Sequence, residues 1–158
     1  MWFDVYPEGI PIDKASKKLQ EKVMKDFNNS CDLIENHIYS ISKEHNVSLN
    51  KIFLLGFSQG SMMSIEVGTK LNESIAGIIS LSGRIYSRDF YQRPRNKCPI
   101  LVVHGDSDNI IPPSRFYETC EILEKSNYNV ENHLIKNLGH SINNDVSEIS
   151  MSFIKNYR

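Results

Sequence analysis

Hydrophobic and polar positions along this chain follow two different periods. Between residues 13 and 45, Leu19, Val23, Phe27, Cys31, Ile34, Ile38 and Ile41 recur at steps of three and four, with Lys, Glu and Asn between them. That spacing lays one apolar stripe along a helix. Asp13 or Ser16 is placed to cap its start and Asn46 to end it, with a break expected near Asn28 and Asn29. Apolar runs of strand length follow at residues 51–57, 75–80 and 99–104, and a fourth at 130–135 alternates through Val130, Asn132 and Leu134. Helical patterns fill residues 60–71, then 114–125 with Phe116, Cys120 and Leu123 on one face. A last one fills 142–157, with Ile142, Val146, Ile149, Phe153 and Ile154 turned inward. Residues 1–12 read as irregular, and residues 83–98 as a polar loop carrying aromatics and arginines. Strands alternating with helices predict an α/β fold, a mainly parallel sheet flanked by helices on both faces.

Composition narrows the class. The chain has 158 residues, a size that suits a single domain over residues 1–158. A formal net charge of -1 gives no basic footprint for nucleic acid and no polybasic patch for a membrane surface. The apolar runs are too short for stable membrane insertion. The N-terminus lacks the basic and apolar regions of a secretory signal. Cys31, Cys98 and Cys120 form neither a disulfide framework nor a zinc pattern, so a reduced, cytoplasmic setting is expected. No Gly-x-Gly-x-x-Gly follows a strand, which argues against a dehydrogenase.

Three segments carry chemistry. Gly56-Phe57-Ser58-Gln59-Gly60 stands between a buried strand and a helix. A serine at such a turn is held in a strained conformation, with its hydroxyl at the C-terminal end of the sheet. Both glycines are expected to be needed there because a Cβ at either position would collide with its neighbours. The Gln59 N–H, at the start of the helix, is placed to stabilise an oxyanion. His104-Gly105-Asp106-Ser107-Asp108 follows the third strand, and either aspartate is placed to orient an imidazole. Gly139-His140-Ser141 lies between the last strand and the last helix. His133 competes with His140 but sits inside the strand pattern; His37, His45 and His104 read as surface or structural. The order serine, acid, histidine, each at a strand's C-terminal end, is that of the α/β-hydrolases.

Gly-Phe-Ser-Gln-Gly-Ser at 56–61, Leu-Ser-Gly at 81–83, His-Gly-Asp-Ser-Asp-Asn-Ile-Ile-Pro at 104–112 and Gly-His-Ser-Ile at 139–142 resemble the phospholipase/carboxylesterase family. That family includes bacterial carboxylesterases and acyl-protein thioesterases. Trp2-Phe3-Asp4 is similar to a segment preceding the long helix there. The resemblance implies Ser58 as nucleophile, Asp108 as acid, His140 as base and Gln59 as one oxyanion donor. It implies cleavage of small acyl esters or thioesters through an acyl-enzyme, with no metal and no cofactor. Trp2, Phe3, Met62 and Ile85, with Tyr86, Phe90 and Tyr91, are expected at an acyl pocket, with residues 84–95 as its rim.

Family members carry further N-terminal strands and a His-Gly-x-Gly loop that supplies a second oxyanion donor. No glycine of this chain lies in such a loop. The chain therefore resembles the C-terminal portion of a member, a partial α/β-hydrolase fold. The strand from Lys51 to Phe57 is then expected to present an open edge, and self-association into a homodimer through it. Two other outcomes remain open: a non-catalytic remnant, or a half-enzyme completed by a second chain.

Overall fold

The computed structural model describes residues 2–5, 7–10, 12–87, 90 and 96–158. A long helix α1 (Lys17–Glu44) precedes β1 (Phe53–Phe57), α2 (Gln59–Lys70), β2 (Gly77–Leu81), β3 (Ile100–Gly105), α3 (Ser114–Lys125), β4 (Val130–Ile135) and α4 (Asn144–Tyr157). The strands form one sheet in the order β1-β2-β3-β4, and every pair is parallel. Single-residue alternation on the strands sorts the core. Ile78, Ile100 and Val102 join α1, α2 and α3 on one face. Ile79, Leu81, Leu101 and Val103 join Val146 and Phe153 of α4 on the other. Burial on both faces is why β2 and β3 read as unbroken apolar runs.

Helix α1 starts where Ser16 accepts a hydrogen bond from the Leu19 N–H at 3.4 Å. It ends where Asn46 takes a left-handed φ of 51°, which asparagine tolerates well. The expected break near Asn28 and Asn29 does not occur. Both side chains face solvent, so α1 runs through them without a competing buried partner. Helix α2 is buried from Ser61 through Thr69, wedged between the sheet and α1. Ile142, expected inward, is 48% exposed, because α4 begins after it, at the Asn143 cap.

Among the described residues β1 is an edge of the sheet. It is shorter than its apolar run, since residues 49–51 wind into a 3-10 turn, and Leu55 stands 54% exposed. No helix among the described residues is long and apolar enough to cross a membrane.

Candidate active site

The loops that follow β1, β3 and β4 gather at the C-terminal edge of the sheet. The first is a strained elbow. Ser58 has φ 56° and ψ -117°, a conformation costing about 1–3 kcal/mol for a residue with a side chain. Its N–H is tied to the Leu81 carbonyl at 2.9 Å. It stands at the cap position of α2 but makes no capping hydrogen bond, so its hydroxyl is not committed to the helix. A Cβ on Gly56 would lie 2.0 Å from the Gly60 carbonyl oxygen, and one on Gly83 would lie 2.2 Å from Ser61 Oγ. The strand, elbow and helix pack this closely because both positions are glycine. Gly60 departs from expectation: a Cβ there would meet nothing within 4 Å, because the position faces open space.

Gln59 fastens the N-terminal segment to this elbow. Its Nε2 donates to the Phe3 carbonyl at 2.8 Å, and its Oε1 accepts from the Trp2 N–H at 3.2 Å. Ser30 Oγ holds the Trp2 carbonyl from the α1 side at 2.7 Å.

The second and third loops are knotted together. The Ser107 N–H bonds to the Leu138 carbonyl, and Asp106 Oδ1 accepts from the Asn137 N–H at 2.7 Å. Gly105 permits this, since a Cβ would lie 2.1 Å from the Leu138 oxygen. The two aspartates therefore differ in kind: Asp106 is exposed and ties loops, whereas Asp108 is buried. Asp108 Oδ2 accepts from His140 Nδ1 at 2.7 Å, and Oδ1 accepts from the Ile110 and Ile111 N–H groups, each at 2.9 Å. Burial works against ionisation here. The hydrogen bond from His140, those from Ile111 and Ile110, and the His140 charge outweigh it and hold the Asp108 carboxyl below its usual value. An ionised carboxylate only accepts, so Nδ1 of His140 carries a proton. The His140 ring is half-buried against Phe57, the residue before Ser58, with centroids 4.8 Å apart.

His104 is structural, not a surface residue. Its Nε2 donates to the Ile111 carbonyl at 2.8 Å and lies 3.4 Å from Asp108 Oδ2. It thereby clamps the turn that wraps Asp108. His37 and His45 are exposed. His133 lies in β4 beside Glu131.

A cavity of about 250 Å³ opens at Ser58, walled by Val5, Ile12, Gln59, Met62, Arg84, Ile110, Ile111, Pro112 and Arg115. Of the described residues expected at an acyl pocket, Met62 is in this wall, whereas Trp2, Phe3, Ile85, Tyr86 and Phe90 are not. Phe3 instead packs its ring against Phe27 and Tyr86 in the core. Trp2 is half exposed and contributes its backbone. Ile85 packs into the core with its N–H on Thr119 Oγ1. Phe90 is buried near Tyr128, and Tyr91 lies outside the described residues. Arg84 lies in the stretch 84–95 expected as the pocket rim, whereas sequence reading missed Arg115, Val5 and Ile12 because they lie in stretches whose pattern says nothing of a cavity. The one available signal was adjacency, since Ile110, Ile111 and Pro112 follow Asp108 directly. Among the described residues no group of three or more His, Cys, Asp or Glu is placed to hold a metal ion.

Comparison with known proteins agrees with this architecture. The model of the phospholipase/carboxylesterase family matches residues 1–157. An acyl-protein thioesterase 1 of Debaryomyces hansenii is 28% identical over 158 residues, a match taking in 97% of this chain and 65% of that protein. The Candida albicans protein of the same name is also 28% identical, over 98% of this chain and 68% of its own length. The chain thus spans about two thirds of the curated relatives it matches. Among solved structures, Arabidopsis thaliana SOBER1 superposes with a TM-score of 0.76 at 24% identity, over 99% of this chain and 73% of that one. Esterase PE8 superposes with a TM-score of 0.81 at 23% identity, over 85% and 63%. At such identities the likeness is one of fold, here the α/β-hydrolase fold.

Proposed function

We propose that this chain, which belongs to the phospholipase/carboxylesterase family, is a serine hydrolase of acyl esters or thioesters. The observation that carries the reading is Ser58 itself. It is a serine at positive φ between a buried strand and a helix, and it shares one sheet edge with a carboxylate-bound imidazole. In the proposed reaction His140 Nε2 takes the Ser58 proton as Oγ attacks the acyl carbonyl carbon. The Gln59 N–H receives the developing oxyanion. The leaving alcohol or thiol departs with the proton from His140. Water, deprotonated by the same nitrogen, then attacks the acyl-serine and releases the acid. Asp108 keeps the proton on Nδ1 throughout, so that Nε2 can accept. The apolar wall of Val5, Met62 and Ile111 suits a short or medium acyl group. Cys31, Cys98 and Cys120 are buried and not joined in disulfides, which suits a reducing, cytoplasmic setting.

The test is covalent labelling by a fluorophosphonate probe, read by intact mass. Stoichiometric labelling that disappears in Ser58→Ala is expected. A folded wild-type chain that stays unlabelled overturns the reading.

A second reading is favoured by the edge position of β1, and it is that of a half-enzyme whose sheet and site a second chain completes. The sequence holds no His-Gly-x-Gly segment to give the second oxyanion donor, and one missing donor costs about 100- to 1,000-fold in rate. The apolar edge of β1 is expected to pair copies of this chain into a homodimer. Light scattering should therefore show a dimer or larger species, with labelling per chain rising with protein concentration. A monodisperse monomer that labels fully rules this second reading out.

A further inference from the structure

Gln59 faces two ways. Its backbone opens α2 beside Ser58, while its side chain reaches back to the segment that precedes α1. The carboxamide closes on that segment with both ends: Nε2 donates to the Phe3 carbonyl at 2.8 Å, and Oε1 accepts from the Trp2 N–H at 3.2 Å. Ser30 of α1 donates to the Trp2 carbonyl at 2.7 Å, so the segment is pinned between elbow and helix. Just beyond these anchors the chain makes a loop whose two ends meet, the Ile12 N–H donating to the Val5 carbonyl at 3.2 Å. The loop reverses through left-handed backbone at Glu8, φ 57°, and Gly9, φ 75°. Its two ends, Val5 and Ile12, are what this segment gives to the wall of the Ser58 cavity. Ile12 also lines an open groove of about 860 Å³ along α1, together with Met24 and Tyr86. The base of the loop therefore stands between a small cavity at the nucleophile and a larger groove beside it.

We infer that the Gln59 side chain is a positioning residue for substrate selection: by pinning residues 2–5 it holds Val5 and Ile12 as one wall of the acyl cavity, and so sets the length of acyl chain that the site accepts. This inference rests on the hydrolase reading for its ligand, an acyl thioester or ester, but not for the wall itself. A carboxamide suits the task because it offers a donor and an acceptor at once, one for each of the two backbone groups it meets. A short acyl group fills the cavity and gains contact with Val5 and Ile12, whereas a longer one has to displace them. With the clamp removed, a short chain loses its wall and a longer chain gains the groove. The Phe3 ring, buried against Phe27 and Tyr86, keeps the segment docked, so the clamp's loss loosens the wall without removing it. The effect is then about tenfold, the low end of what one methylene contact in an apolar pocket is worth.

Trp2 is the chain's single tryptophan and is half exposed, so its fluorescence reports on the segment directly. In Gln59→Met, which keeps the side chain's length without either hydrogen bond, acrylamide should quench Trp2 more strongly than in wild type. Length selection is read by calorimetry in a Ser58→Ala background, which binds without turnover, with the butyryl and octanoyl thioesters of N-acetylcysteamine. Gln59→Met is expected to move the ratio of the two affinities about tenfold toward octanoyl. Ser30 is not in the cavity wall, and Ser30→Ala removes its bond to Trp2; it should shift both quenching and ratio in the same direction, by less. An unchanged ratio in both variants, in chains of wild-type circular dichroism, overturns the inference, as does binding of neither thioester. So does a shift confined to Gln59→Met, because Gln59 itself borders the cavity and would then act by contact alone. Unchanged quenching of Trp2 in Gln59→Met overturns the clamp. Turnover separates the two ideas. If wild type hydrolyses neither thioester while the ratio still shifts in both variants, the hydrolase reading fails and the wall stands.

Discussion

Asp108→Asn should lower kcat by about ten-thousandfold while leaving KM nearly unchanged. The size follows from how the carboxylate is held. Its Oδ1 receives two backbone N–H groups, from Ile110 and Ile111, and its Oδ2 receives His140 Nδ1–H. An asparagine would turn its carbonyl oxygen to the two backbone donors, which leaves its NH₂ facing His140. The imidazole must then accept at Nδ1 and carry its proton on Nε2. In that tautomer it has no lone pair with which to take the Ser58 proton. Asp108 is absent from the cavity wall, so substrate affinity has no reason to change. Steady-state kinetics on a short-chain thioester checks both parameters, and a kcat within tenfold of wild type would remove Asp108 from the mechanism. The same substitution has a signature in stability. The Asp108 pKa is lowered in the fold, so its contribution is fully present above the ordinary carboxylate range and lost as pH falls through the lower folded value. Urea midpoints against pH should therefore fall less steeply in acid for Asp108→Asn than for wild type.

Gly56→Ala should destabilise the chain by about 3 kcal/mol or more, a large part of the total for a domain of this size. The added Cβ would sit 2.0 Å from the Gly60 oxygen and 2.1 Å from its carbon. These are backbone atoms at the start of α2, so relief requires moving a whole buried helix against β1. Gly60→Ala makes the control. Its Cβ has no neighbour within 4 Å, and alanine is the better helix former by roughly 1 kcal/mol. That variant should match or exceed wild type in urea midpoint. Equal destabilisation by the two substitutions would mean that the elbow is not packed as described.

The contrast between these glycines marks the limit of what the sequence alone determined. Gly-x-Ser-x-Gly is a local signal, and from it the strand, the strained serine and the helix were legible; why each glycine is there was not. The periodic patterns likewise gave α1, α3 and β4 almost to their ends, because apolar spacing reflects burial on one element at a time. They missed where β1 and α4 begin, since a 3-10 turn and an asparagine cap interrupt apolar runs that look continuous. Chain order and strand ends pointed to a serine, an acid and a histidine at one sheet edge, with both aspartates of the loop open and the family resemblance favouring Asp108. Only the fold separates Asp106, turned out to bind Asn137, from Asp108, turned in to bind His140. The cavity was the least legible feature. Its wall joins Val5 and Ile12 to Met62, Arg84 and Arg115, residues brought together by crossovers between distant segments. Phe3 looked like a pocket residue but is drawn into the core by Phe27 and Tyr86. Period and motif describe a residue's neighbours along the chain. Which side chains face each other across a sheet edge is set by packing between elements, and for that the tertiary structure was required.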